Sequence, residues 1–125
     1  DPMSDVLWKA EVTSVGHEAG EMLEAGILIL FSDPVPDALA DVSVTHNSTA
    51  APARPLRAGD QFSFSGQAYV IDEVGGRTYD NLAELGHVVV YVDEPDQELL
   101  PGAVKVTGPA LVVPEMGSSI EFVGA

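Results

Sequence analysis

Val42-Ser43-Val44-Thr45-His46 alternates apolar and polar side chains like a half-buried strand and stops on a histidine. Asn47-Ser48-Thr49-Ala50-Ala51-Pro52-Ala53 follows directly, a run of small residues that reads as a loop. A strand end delivers its last side chain to the rim of a sheet with little freedom. A neutral imidazole held there is a nucleophile near pH 7. The same pattern also fits a strand-end histidine bonded to nearby backbone, and the local sequence leaves both readings open. The nucleophile reading carries one requirement: the His46 ring must lie at an open lip of the β-structure, within reach of another molecule.

Outward from this stretch the chain reads as more short strands divided by Gly and Pro turns. Val6 to Val15 alternates in part and forms a first strand, and Glu18 to Ala25 suggests a short helix closed by Gly26. Ile27 to Phe31 is a β-branched-rich strand, and Asp33-Pro34-Val35-Pro36-Asp37 breaks the chain before the strand Asp41 to His46. Leu56 to Asp60 is a tight turn. Gln61 to Phe64 and Ala68 to Val74 flank Ser65-Gly66-Gln67 as a hairpin. Asn81-Leu82-Ala83-Glu84 has capping-box spacing and Gly86 supplies a stop, which predicts one helical turn over Asn81 to Leu85. His87 to Val92, Ala103 to Thr107 and Ser119 to Val123 complete the strands. About seven or eight short strands without βαβ alternation predict an all-β barrel or sandwich in one domain over residues 1–125. Its strand edges offer a route to a homodimer.

Composition narrows the function. The net charge of −15 argues against nucleic acid and anionic membrane surfaces, and it steers basic protein partners towards the chain. No apolar run approaches the ~18 residues of a membrane span. Asp1-Pro2-Met3-Ser4-Asp5 lacks the basic and apolar regions of a signal peptide, and Met3 reads as the natural start. Without cysteine there are no disulfides and no thiolate metal ligands, which fits a cytoplasmic protein.

Few groups are left for covalent chemistry. Three histidines and five cationic side chains are the whole supply. His87 follows Gly86 and opens an apolar strand; it either assists His46 or fixes strand entry by bonding the preceding loop. His17 lies in a turn and reads as a surface residue. The histidines lack metal-ligand spacing, so no metal is expected. No phosphate-binding glycine loop and no Gly-x-Ser-x-Gly elbow occurs, so no nucleotide or other cofactor is expected.

Four blocks resemble the enzyme IIA component of the glucitol/sorbitol-specific sugar phosphotransferase system. They are Ile29 to His46, Leu56-Arg57-Ala58-Gly59-Asp60-Gln61-Phe62-Ser63, Asp80 to Val88 with its Asn81-Leu82-x-Glu84-Leu85-Gly86-His87 run, and Leu100-Pro101-Gly102 through Gly108-Pro109. They come in the family's order and span most of the chain. The resemblance implies a phosphocarrier that takes a phosphoryl group from phosphohistidine on HPr and passes it to a cysteine of the IIB partner in the IIB/IIC membrane complex. The phosphorylated histidine falls on His46. One departure stands out: a Cys-His-Gly-like segment follows the active histidine in the family, and Asn47-Ser48-Thr49 stands there here.

Such a reaction starts from a P–N bond and needs no ATP, magnesium or nucleotide loop. It needs an unprotonated ring nitrogen in line with phosphorus and donors for the spreading charge on the phosphoryl oxygens. The candidates are the backbone N–H groups of the loop with Asn47, the hydroxyls of Thr45 and Ser48, and the His87 imidazole. Arg54 and Arg57, in the loop beyond, either meet phosphate or are solvated turn cations. Two rivals remain: a regulatory, partner-binding relative that carries no phosphate, motivated by the altered segment, and a ligand-binding barrel with a deep apolar pocket away from His46.

Overall fold

The computed structural model describes residues 5–125, so the reading of residues 1–4 lies outside the described residues. Eight strands run β1 (Val6–Val15), β2 (Ile27–Ser32), β3 (Val44–His46), β4 (Gln61–Phe64), β5 (Gln67–Val74), β6 (Val88–Val92), β7 (Ala103–Thr107) and β8 (Ser119–Val123). Three short helices interrupt them: α1 (Ala19–Glu24), α2 (Asp37–Ala40) and α3 (Thr78–Leu85). The strands close into a barrel in the order β1-β3-β2-β6-β7-β5-β4-β8. The expected all-β barrel is therefore the observed architecture, and the sandwich alternative falls away. Every described strand has a neighbour on both sides, so pairing of strand edges offers no route to a homodimer.

Six of the ladders are antiparallel, while β2 with β3 and β6 with β7 run parallel. Parallel neighbours need crossover connections, and the segment after β2 supplies one of them. It contains α2, which the sequence reading treated only as a breaker. Pro36 stands at its N-cap, where a fixed φ and a missing N–H do no harm. The helix shortens the expected strand from Asp41–His46 to Val44–His46. The β4–β5 turn has φ of 52° at Ser65 and 75° at Gly66, as a two-residue type I′ hairpin requires.

Alternation along each strand sends one set of side chains inward. Leu28, Leu30, Phe62, Phe64, Tyr69, Val88, Val90, Val104, Ile120 and Phe122 are all wholly buried. The aromatic rings form a continuous path: Phe62 meets Phe122 at 4.9 Å between centroids, and Phe122 meets Trp8 at 5.7 Å. That path ends at the rim where β1, β2 and β3 adjoin.

The helix before β6 differs from its predicted form. α3 starts at Thr78, with Arg77 as N-cap and no side-chain cap, so Asn81 lies inside the helix and makes no capping box. Gly75 explains the earlier start. Its carbonyl accepts the Thr78 N–H at 3.2 Å, and the buried Thr78 hydroxyl donates to the Ala103 carbonyl at 3.2 Å. Gly86 ends α3 in the left-handed conformation, φ 60°, as the sequence implied.

The long connection from β3 to β4 is fastened by one buried carboxylate. Asp60 receives both Arg54 guanidinium nitrogens at 2.8 Å and the backbone N–H groups of Arg57 and Ala125. Arg54, left open between a phosphate contact and a solvated turn cation, is thereby paired with Asp60. The Arg54 hydrogen bonds hold the Asp60 carboxyl at a pKa of about 2. An unfolded aspartate titrates near ~3.9, so this contribution to stability is complete above that pH and is lost as pH falls towards 2. Asp60→Asn is expected to cost about 1–3 kcal/mol at neutral pH and to flatten the acid limb of stability, as measured by urea unfolding across the acid range.

Candidate functional site

His46 closes β3, and the register places it beside Val12 of β1 and Ser32 of β2. The ring does not stand at an open lip. Its relative exposure is 0%, and both nitrogens bond the main chain. Nε2 lies 2.6 Å from the carbonyl oxygen of Gly86. That oxygen can only accept, so Nε2 carries the proton. Nδ1 accepts the backbone N–H of Ser48 at 3.1 Å, which leaves Nδ1 as the unprotonated nitrogen. Trp8 meets the ring edge to face at 5.0 Å, with the planes at 86°. Burial pushes the His46 pKa below its ordinary 6.5, and the Gly86 carbonyl opposes this only in part. The site therefore holds a neutral imidazole in one tautomer and one orientation, under cover.

The cover is the turn from α3 into β6. A Cβ on Gly86 would lie 2.6 Å from Ser32 Cβ, 2.7 Å from His46 Cε1 and 3.0 Å from His46 Nε2. Only glycine lets the turn lie this close to the ring, and its left-handed φ points to the same residue. A cleft of about 220 Å³ opens beside the turn, lined by Phe31 to Pro34, Ser48, Thr49 and Ala83 to Gly86. Leu85 on its rim is 46% exposed. Gly86 and Ser48, the two residues that hold the ring nitrogens, both line this cleft.

The other predicted residues divide into those near the ring and those drawn elsewhere. Ser48 is buried; besides its bond to Nδ1, its hydroxyl accepts the Ala50 N–H at 3.3 Å and its carbonyl accepts the Ser32 hydroxyl at 2.9 Å. Thr45 points to β1, where its hydroxyl meets those of Thr13 and Ser14. Asn47 also turns to β1, accepting the Glu11 N–H at 2.9 Å and donating to the Glu11 carboxylate at 3.2 Å. Thr45 and Asn47 thus anchor the strand end. His87 is half-buried just outside β6 and rests on Phe31 at 4.6 Å between rings. Its Nδ1 donates to the Leu30 carbonyl at 2.9 Å, which leaves the Nε2 lone pair without a hydrogen-bond partner among the described residues.

Elsewhere, a larger groove of about 510 Å³ runs between Asp72, Glu73, Asp93, Glu94 and Lys105. Pro95, Val106 and Thr107 line it as well, and Lys105 is committed to the carbonyls of Pro95 and Gln97 at 3.0 and 2.8 Å. It is a groove open to solvent, not an enclosed pocket. His17, Glu18 and Asp41 bring three potential metal ligands together, all exposed. No helix among the described residues is long and apolar enough to cross a membrane.

The family profile of the PTS system glucitol/sorbitol-specific IIA component matches residues 7–121, which includes every strand that builds the rim around His46. The chain belongs to this family. Similar proteins include the PTS system glucitol/sorbitol-specific EIIA components of Shigella flexneri and Escherichia coli (strain K12). Each is 32% identical over 117 residues, covering 94% of this chain and 94% of the relative. The crystal structure of the PTS system IIA component from Enterococcus faecalis V583 has a TM-score of 0.78 at 22% identity, over 93% of this chain and 99% of that one, so it shares the fold.

Within this IIA component the residues that sequence reasoning missed are Trp8 and the carbonyl of Gly86. Gly86 was legible as a helix stop, but its contact with a ring forty positions earlier was not. Gly86→Ala is expected to cost about 1–3 kcal/mol from overpacking and to displace the His46 ring, seen as a lowered Tm and a shifted His46 NMR signal. A second expectation concerns pH. The unfolded chain protonates its histidines near ~6.5, above the folded value for His46, so the unfolded state takes up that proton first. The contribution from neutral His46 is therefore complete above about pH 6.5 and declines as pH falls through the lower folded value. Thermal melts of wild type and His46→Gln should converge as the pH is lowered through that window.

Proposed function

We propose that this chain, as a single IIA unit over residues 1–125, is a cytoplasmic phosphocarrier. On this reading it takes a phosphoryl group from phospho-HPr on His46 and passes it to the cysteine of a IIB partner in the membrane complex. One observation carries the reading: a neutral imidazole is oriented by main chain at both nitrogens, and the two residues that hold it, Gly86 and Ser48, line a neighbouring cleft. Desolvation keeps the ring unprotonated at pH 7, as a nucleophile must be. The acidic surface suits a basic donor.

His46 does not meet the open-lip requirement in this closed state, so the carrier reading requires the α3–β6 turn to move off the ring first. Nε2 carries the ring proton and so has no lone pair to attack with; the Gly86 carbonyl must withdraw and the proton must shift from Nε2 to Nδ1, through water, before transfer. In the transfer, the P–N bond of phospho-HPr breaks and a bond from phosphorus to His46 Nε2 forms. The ring proton ends on the HPr imidazole, through water. While Nε2 attacks, the ring proton is on Nδ1, so the Ser48 N–H lets go of Nδ1 for that step and returns to its lone pair once the proton has passed to HPr. The Ser48 hydroxyl and the His87 imidazole are the nearest candidates to meet the phosphoryl oxygens once the turn has moved.

Full burial of His46, together with Asn47-Ser48-Thr49 in place of the family's segment, favours a second reading, a partner-binding relative that carries no phosphate. Incubation with a general phosphorelay of enzyme I, HPr and phosphoenolpyruvate separates the two. The carrier reading expects an acid-labile, base-stable mass increase in wild type, absent in His46→Ala and retained in His87→Ala. Labelling that persists in His46→Ala and vanishes in His87→Ala would move the acceptor to His87, whose Nε2 is unbonded. An unlabelled wild type, beside a IIA control that is labelled, would favour the partner-binding reading.

A further inference from the structure

Trp8 is the only tryptophan in the chain. It lies in β1 and is 3% exposed. Packing alone would explain a buried tryptophan in a barrel, but a direct ring contact and a chain of three hydrogen bonds tie this one to His46. Its ring meets the imidazole edge to face at 5.0 Å, a geometry that attracts through the ring quadrupoles. Its indole N–H donates to the carbonyl of Ala50 at 3.2 Å. Ala50 in turn donates its N–H to the hydroxyl of Ser48. Ser48 is the residue whose backbone N–H occupies His46 Nδ1. One side chain thus touches the imidazole and anchors the loop that fixes the imidazole's inner nitrogen. Behind it stand Phe122 and Phe62, both wholly buried, so the indole has a rigid backing.

We propose that Trp8 is the positioning residue of the phosphoacceptor site: it sets the plane of the His46 ring, holds the Ser48 loop against Nδ1 and keeps water off the ring. Its effect on phosphoryl transfer rests on His46 being the acceptor; its hold on the ring rests on the contacts alone. Fixed orientation matters because in-line attack tolerates little misplacement, and about 1 Å can cost on the order of a hundredfold. Dryness matters because burial is what keeps the imidazole neutral. The hydrogen bonds of the ring go to uncharged main-chain groups, Gly86 C=O and Ser48 N–H, and the face contact is Trp8 itself. A change in the titration of His46 on altering Trp8 therefore reports hydration of the ring.

The test uses the full chain with Trp8→Phe, Trp8→Leu and a packing control, Phe64→Leu in β4, a strand that pairs with β5 and β8 and not with β3. Two readouts are followed, the NMR titration of His46 and the rate of labelling by phospho-HPr. Trp8→Leu should raise the His46 midpoint towards ~6.5 and slow labelling by about tenfold to a hundredfold. Trp8→Phe keeps an aromatic contact but loses the bond to Ala50, so it should fall between Trp8→Leu and wild type. Phe64→Leu should lower the Tm and leave both readouts in place. An unmoved midpoint and rate in the Trp8 variants, or an equal change in the control, overturns the proposal. If Trp8→Leu does not fold, wild-type emission carries the test alongside Trp8→Phe. The sole tryptophan must change its fluorescence as His46 titrates, and constant emission would sink the idea. A moved midpoint with labelling that never depended on His46 would uphold Trp8 as the brace of the ring and refute His46 as the acceptor.

Discussion

The hydrogen bond from His46 Nε2 to the Gly86 carbonyl is the contact on which the site depends. A buried neutral hydrogen bond contributes only about 1 kcal/mol net to stability. Its importance lies in what it fixes. It puts the ring proton on Nε2, leaves Nδ1 to the Ser48 N–H, and draws the α3–β6 turn down over the ring. It can form only because residue 86 has no Cβ and accepts a left-handed φ. The strand end and the loop after it lie 40 positions from the helix stop in sequence, and this bond joins them into one site.

Burial gives this site a particular chemical character. Water is kept from the imidazole, the cation is disfavoured, and the ring is held in one orientation with its Nε2 capped by a proton and the Gly86 carbonyl. On the carrier reading proposed above, the ring waits in this state, neutral and unreactive, until a partner displaces the turn. The exposed Leu85 on the rim and the left-handed Gly86 beside it are the parts of the cover nearest to such a partner. The half-buried His87 next to them has no hydrogen-bond partner at Nε2 among the described residues. Two imidazoles one residue's contact apart, one closed and one open, follow from a single turn.

Much of the barrel was legible because each strand signals itself locally. Alternation, β-branched runs and Gly or Pro turns located all eight strands to within a few residues, and Gly86 announced the end of α3. The misses share a cause. α2 and the early start of α3 depend on backbone partners supplied by the chain on either side, such as Gly75 for Thr78, rather than on side-chain caps. Closure of the barrel, which removes the strand edges, is a long-range property with no local mark. In the site, His46 and Ser48 were identifiable by type and position. Their mutual bond is two residues long and still required the strand to end at His46. Thr45 and Asn47 looked equally available, yet the pleat directs the first to β1 and the Glu11 backbone captures the second. The depth of the ring beneath Gly86, and the wall that Trp8 builds beside it, come from contacts between distant segments that no single stretch encodes.

The central claim concerns one nitrogen. Long-range proton–nitrogen NMR of the histidine-labelled chain, recorded before and after phosphorylation by the relay, observes it directly. The account predicts phosphorus on Nε2 of His46, an Nδ1 that remains unprotonated and bonded to the Ser48 N–H, and loss of the Nε2 contact with Gly86. Phosphorus on His87, or a His46 spectrum unchanged in a chain that has taken up phosphate, would contradict it.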